Sequence, residues 1–237
     1  MGYGYGYTGF YDSSYILVLI GALLCLVTSG LVKGTFNKYA KVAAASGLTG
    51  AQVADAILRK KGIFDARVER VSGSLTDHFN PATKVVNLSE TVYGESSVAA
   101  ISVAAHECGH AMQHNEDYFP LKLRSSILPV ANFGSKYGLW IVIAGLFISF
   151  FRPLIFFGVL LFAFGVLFQI VTLPVEFDAS RRALETLSDM GILTGGEMEG
   201  AKKVLRSAAM TYVASAAASI LSLMRLILLA QGGRRRD

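Results

Sequence analysis

Uncharged apolar runs and amphipathic stretches divide this chain. From Ser13 to Val32 no charge interrupts a segment dominated by Leu, Ile and Val. Twenty helical residues at 1.5 Å each match the bilayer's hydrocarbon core of about 30 Å. A second uncharged section covers 137–151 and 153–175, with Gln169 its main polar interruption. Arg152-Pro153 reads as the turn of a hairpin there. The first arm reaches full length if Lys136 snorkels or the span begins near Val130, which sets the hairpin at 128–175. Residues 207–224 are uncharged but rich in Ala and Ser, and Arg225 and Arg234–Arg236 follow. Length makes 207–230 a fourth span, whereas its flanking charge favours an interfacial helix.

Other periods appear between these runs. Thr49 and Gln52 have capping-box spacing, and Val53, Ala54, Ile57 and Leu58 supply a helical apolar face before Gly62. Short β-like runs at 66–71 and 84–88 are separated by Ser-Gly-Ser and Asn-Pro turn signals. A second helix is expected to start near Ser96 or Ser97 and continue to His114. Residues 176–206 are again charged and helical in pattern. The predicted organisation is a flexible Gly/Tyr tail at 1–12, a span at 13–32, a polar domain at 33–125, the hairpin, a return of that domain at 176–206, and the apolar C-terminal helix. The fold class is therefore a mainly α membrane protein with three to four membrane helices and a small β-sheet.

Composition agrees. Hydrophobic residues make up 53% and charged residues 16%, against about 25% charged in soluble domains. The net charge of +5 does not point to nucleic acid, because no Lys/Arg stripe alternates with aromatics. Instead the basic residues flank apolar runs. Lys33, Lys38 and Lys41 follow the first span and Asp12 precedes it, placing the N-terminus outside and residue 33 onward in the cytoplasm. Lys122, Arg124, Arg181 and Arg182 put both hairpin ends on that side. The spans are nearly bare of ionisable groups, which argues against a transporter. Cys25 and Cys108 are read as free thiols, in keeping with a reducing compartment. The tail has neither a signal peptide's basic start nor the Ser/Thr of a myristoylation site.

The chemistry concentrates in His106-Glu107-Cys108-Gly109-His110. Histidines four apart share one helix face, with about 6 Å of axial rise between them, and can hold one Zn²⁺. Glu107 then projects beside the metal as the base for a water molecule. His114 lies too far along the axis to share the ion. Gln113 and Glu116 stand where a longer histidine motif needs Gly and His. The remaining candidate for third ligand is Glu176, directly after the second apolar section, with Asp178 its rival. Cys108 should point away from the metal and pack.

Residues 75–81, 84–89, Val92-Tyr93, 104–114, 176–183 and 211–214 together resemble the YugP-type neutral zinc metallopeptidases of bacterial membranes. The architecture is also similar to HtpX-type and CAAX prenyl proteases, in which a membrane hairpin separates the two metal-binding helices. The resemblance implies a zincin-like (gluzincin) α+β catalytic domain with one Zn²⁺ per chain, held by His106, His110 and Glu176. Glu107 is the implied catalytic base. Ser180 departs from the Asp of those relatives, leaving Asp178 as a candidate to orient the first histidine. His78 and Tyr212 are candidate oxyanion donors, each with an ordinary structural role as the alternative. The resemblance further implies a substrate-binding edge strand, for which Lys84, Val85, Val86, Asn87 and Leu88 are the candidates; an internal strand is the alternative. The expected partners are the lipid bilayer and a protein or peptide substrate near the membrane. A non-catalytic membrane scaffold with a structural zinc, completed by His78 or Cys108, is the competing reading.

Overall fold

The computed structural model describes residues 13–147 and 153–232. The expected tail at 1–12, the turn residue Arg152 and the closing arginines lie outside the described residues. Four long helices dominate: α1 (Tyr15–Tyr39), α5 (Phe119–Phe147), α6 (Pro153–Asp189) and α7 (Gly195–Gly232). Each contains a stretch long and apolar enough to cross a membrane. Between α1 and α5 the chain forms α2 (Gly50–Lys60), β1 (Arg67–Val71), β2 (His78–Asn80), β3 (Val85–Ser89), α3 (Glu90–Tyr93) and α4 (Val98–Asn115).

The chain divides into two compact units. One comprises residues 28–125 and 171–212. Its α2 begins with the expected capping box: Gln52 N–H donates to the Thr49 hydroxyl, and Thr49 N–H donates to the Gln52 side chain at 2.9 Å. Such a cap satisfies helix N–H groups that have no internal acceptor. Ser97 caps α4 in the same way, its Oγ accepting from Ala100 N–H. The buried face of α2 (Val53, Ala54, Ile57, Leu58) enters a core shared with Val86, Leu88, Ile101, Ala104 and Leu187. Burying each large aliphatic side chain contributes roughly 1.5–3 kcal/mol.

The sheet order is β1-β3-β2, with β1 parallel and β2 antiparallel to β3. This corrects the edge-strand expectation for Lys84–Leu88. Val85, Val86 and Leu88 are buried in the central strand, whose hydrogen-bonding directions are taken up by neighbours on both sides. A peptide cannot add there. The Val-rich run reads alike as an edge or as a centre, because strand order depends on which distant segments come to lie beside it.

After α6 the chain turns through Gly191 and Gly195, both at positive φ, where glycine bears no Cβ penalty. Glu197 ties this corner down, accepting from Thr194 N–H at 3.2 Å and from Ala45 N–H at 2.6 Å. The division expected at residues 206 and 207 falls inside one continuous helix.

Among the described residues, the second unit comprises 13–27, 126–147, 153–170 and 213–232. Small residues bring its helices together. A Cβ on Gly134 of α5 would lie 2.1 Å from the Leu161 carbonyl oxygen of α6, and one on Gly158 would meet Val142 and Gly138. Close backbone approach of this kind is how helices associate where burial from water offers no driving force. Gly21 of α1 faces Ala218 of α7 in the same manner, and the Arg225 guanidinium lies 5.0 Å from the centre of the Tyr15 ring.

Candidate metal centre

Helix α4 places His106 and His110 on one face, their ring centres 4.8 Å apart. Glu176 arrives from α6. Its Oε2 lies 3.4 Å from His106 Nε2 and 3.5 Å from His110 Nε2, and the three donor atoms fall within 4.8 Å of one another. A tetrahedral ion bonded at about 2.0–2.1 Å separates its ligand atoms by about 3.3 Å, so the spacing suits one shared zinc. The same oxygen is buried and has no hydrogen-bond partner. An uncompensated buried carboxylate oxygen is costly, and a divalent cation supplies the charge that it lacks. The donor set therefore fits zinc. The other oxygen, Oε1, faces Arg124 at 3.5 Å.

A glycine makes this convergence possible. A Cβ on Gly109 would lie 2.5 Å from the Ala179 carbonyl oxygen and 3.0 Å from that residue's C and Cα. The backbones of α4 and α6 thus meet at Gly109 and Ala179, one turn from Glu176. Gly109 serves helix approach more than it clears space at the metal.

Hydrogen bonds behind the ligands hold both rings. The Ser180 hydroxyl lies 3.2 Å from His106 Nδ1, so Ser180 itself is the partner of that ring's second nitrogen. The expectation that Asp178 orients this histidine is corrected. Asp178 instead accepts from Gln113 Nε2 at 2.9 Å and from Arg182 at 2.5 Å, and it also pairs with Arg181. Gln113 Oε1 lies 3.1 Å from His110 Nδ1, and its Nε2 also donates to the Val175 carbonyl at 2.8 Å. Asp178 therefore acts on the second histidine, through Gln113. With Nε2 turned to the metal, each Nδ1–H donates to an oxygen, fixing tautomer and ring orientation. Burial works against a charged His110, yet the carboxylates of Glu176 and Glu107 outweigh it and hold its pKa above the usual histidine value. The ring sits where positive charge is favoured.

Glu107 is nearly buried, at 7% exposure. Its Oε2 accepts from Phe79 N–H of β2 at 2.9 Å, which fixes the carboxylate beside the histidines. Tyr212 shares a cavity wall with His106 and Glu107. His78 is held within the sheet, its Nδ1 at 2.9 Å from the Thr76 carbonyl and its Nε2 at 3.2 Å from Asn87 Nδ2. Cys108 points the other way, its thiol donating to the Ala54 carbonyl, and burial pushes its pKa up. It is an inert packing thiol.

Three contributors escaped the sequence reading. Gln113 counted only as a break in a longer histidine motif, although its i, i+3 spacing from His110 announced the shared face. Arg124 counted only as an orientation charge. The Phe79 N–H carries no side-chain signal at all.

The family model described as "Putative neutral zinc metallopeptidase" matches residues 14–231. A curated relative, "Putative membrane protease YugP" of Bacillus subtilis (strain 168), is 45% identical over 221 residues, covering 93% of this chain and 98% of that protein. No solved structure matches. With nearly all of its length matched, and with the histidines and glutamate of a zinc centre gathered at one point, the chain belongs to this family of neutral zinc metallopeptidases.

Proposed function

We propose that this protein is a zinc-dependent metalloendopeptidase of the bacterial cytoplasmic membrane, hydrolysing peptide bonds of membrane-associated or membrane-proximal proteins. The observation that carries the reading is the convergence of His106, His110 and Glu176, with donor atoms within 4.8 Å of one another, beside a nearly buried Glu107. Two histidines from one helix and a glutamate from a second make it gluzincin-like.

His106, His110 and Glu176 hold the zinc, which when bound supplies Lewis acidity toward water and the substrate carbonyl. Glu107 removes a proton from the attacking water and delivers it to the departing nitrogen. Phe79 N–H engages one oxygen of Glu107, leaving the other for that proton. Ser180 and Gln113 keep the imidazoles aimed. We assign to Tyr212, which borders the same cavity as His106 and Glu107, the hydrogen bond to the carbonyl oxygen as negative charge develops there.

Membrane topology follows from charge and packing. Lys33, Lys38 and Lys41 on one side of the first span put the N-terminus outside and the catalytic residues on the cytoplasmic face. The apolar half of α7 lies along α1, Ala218 against Gly21 and Arg225 over Tyr15, which favours a fourth span over an interfacial helix. Glu176 is the first charged residue after the apolar run 153–175 on the same helix, so substrates are met close to the bilayer.

A structural zinc in a non-catalytic scaffold needs a fourth protein ligand. The two candidates for it are committed elsewhere, His78 to Thr76 and Asn87, and Cys108 to the Ala54 carbonyl. The test is Glu107→Gln in the full chain in detergent. Zinc content should stay at one per chain while peptide hydrolysis falls about 10²–10⁴-fold. An unchanged rate removes the assignment.

A further inference from the structure

Beside Glu107 lies a cavity of about 270 Å³. Its wall includes His106, Glu107 and three hydroxyl side chains of α7, and its apolar side is built from Phe36 of α1, Val103 of α4, and Val204, Leu205 and Ala208 of α7. Three helices far apart in sequence thus assemble one recess whose rim is catalytic.

We infer that this recess receives a large apolar side chain (leucine, methionine or phenylalanine) of the residue flanking the scissile bond, and so selects the cleavage site. This rests on the peptidase reading above. A scissile amide must come within roughly 3 Å of Glu107, directly or through its water, so the adjoining side chain has to occupy space that Glu107 itself borders. Size agrees: an apolar cavity of about 150 Å³ already holds benzene, leaving ample room for a phenylalanine or leucine side chain. Asp77 also borders the recess, where its two oxygens accept from Ser89 N–H at 2.7 Å and Ser89 Oγ at 2.9 Å and hold the β2–β3 corner; a basic flanking residue is therefore the competitor that the peptide series must include. The central strand β3 is enclosed on both sides, and on the edge strand β2 the Phe79 N–H is given to Glu107.

The experiment uses the zinc-loaded full chain in detergent and internally quenched peptides that carry Ala, Leu, Phe, Lys or Asp on either side of one bond. Leu or Phe on one flank should raise kcat/KM over Ala by about 10–200-fold, the range that apolar pockets achieve, with Lys and Asp no better than Ala. Ala208→Phe, which fills the recess, should collapse that ratio at least tenfold. Leu205→Ala, which enlarges it, should shift preference from Leu toward Phe. In parallel, binding of the same peptides to the Glu107→Gln protein is measured by fluorescence anisotropy and should show the same order. Cleavage without an apolar preference, or a preference that neither variant moves, overturns this inference and leaves the peptidase reading standing. Ordered binding with no cleavage by the unmodified protein supports the recess and overturns the peptidase reading. Neither binding nor cleavage overturns both.

Discussion

Replacing Gly109 by alanine puts one methyl group where α4 meets α6. That methyl would start 2.5 Å from the Ala179 carbonyl oxygen and 3.0 Å from two further backbone atoms. Non-bonded carbon atoms settle at about 3.5–4.0 Å, and no flexible side chain is there to swing aside. The helices must therefore part by roughly 0.5–1 Å. Zinc–ligand distances tolerate about 0.2 Å, and Glu176 lies one turn from the point of contact, so the displacement moves the third ligand out of range. Overpacking of this kind costs about 1–3 kcal/mol of stability. Its larger effect should be on the metal. Changes behind the ligands alone typically lower affinity about 10–100-fold, and Gly109→Ala should lose at least that much. Chelator competition on the detergent-solubilised protein measures the zinc affinity, and a thermal melt separates it from unfolding. Cys108→Ala is the control: its neighbouring position faces Ala54, away from the site, and it should keep zinc. If Gly109→Ala binds zinc as tightly as the unaltered protein, the helix contact does not set the ligand geometry and the account of Gly109 is wrong.

Other outcomes follow from the same contacts. Glu176→Ala should empty the site, whereas Asp178→Ala should weaken zinc more mildly because it reaches His110 only through Gln113; the reverse order in metal analysis would transfer the ligand role. Gln113→Leu removes the hydrogen bonds to His110, Val175 and Asp178 and should reduce zinc affinity about 10–100-fold while the chain stays folded by circular dichroism. Ser180→Asp should tighten zinc binding by making His106 a stronger donor, and Ser180→Ala should loosen it, both read by the same competition assay. Stripping the metal should lower the melting temperature, since zinc at 1,000 times its Kd contributes about 4 kcal/mol by joining α4 to α6. An identical melt with and without chelator contradicts the three-residue site.

The amino-acid order alone determined whatever depends on neighbours within a turn or two. The capping box at Thr49 and Gln52, a helix start at Ser96 or Ser97, the shared face of His106 and His110, and the uncharged runs of membrane-spanning length are local consequences of helical period and hydropathy. Glu176 was also legible as the candidate third ligand, because one apolar section ends directly at it, and the structure brings it to the two histidines. Tertiary structure decided what distant segments do to one another. Lys84–Leu88 reads the same in the middle of a sheet as at its edge, and only the arrival of β1 and β2 on opposite sides made it central. Ser180 and Asp178 are two residues apart on α6, and their turn relative to α4 gave His106 to the first and, through Gln113, His110 to the second. The recess beside Glu107 draws its wall from α1, α4 and α7, whose contributing residues lie far apart in the chain. Periodicity reports the face a residue occupies on its own element, whereas a site made between elements depends on packing, which no local pattern encodes.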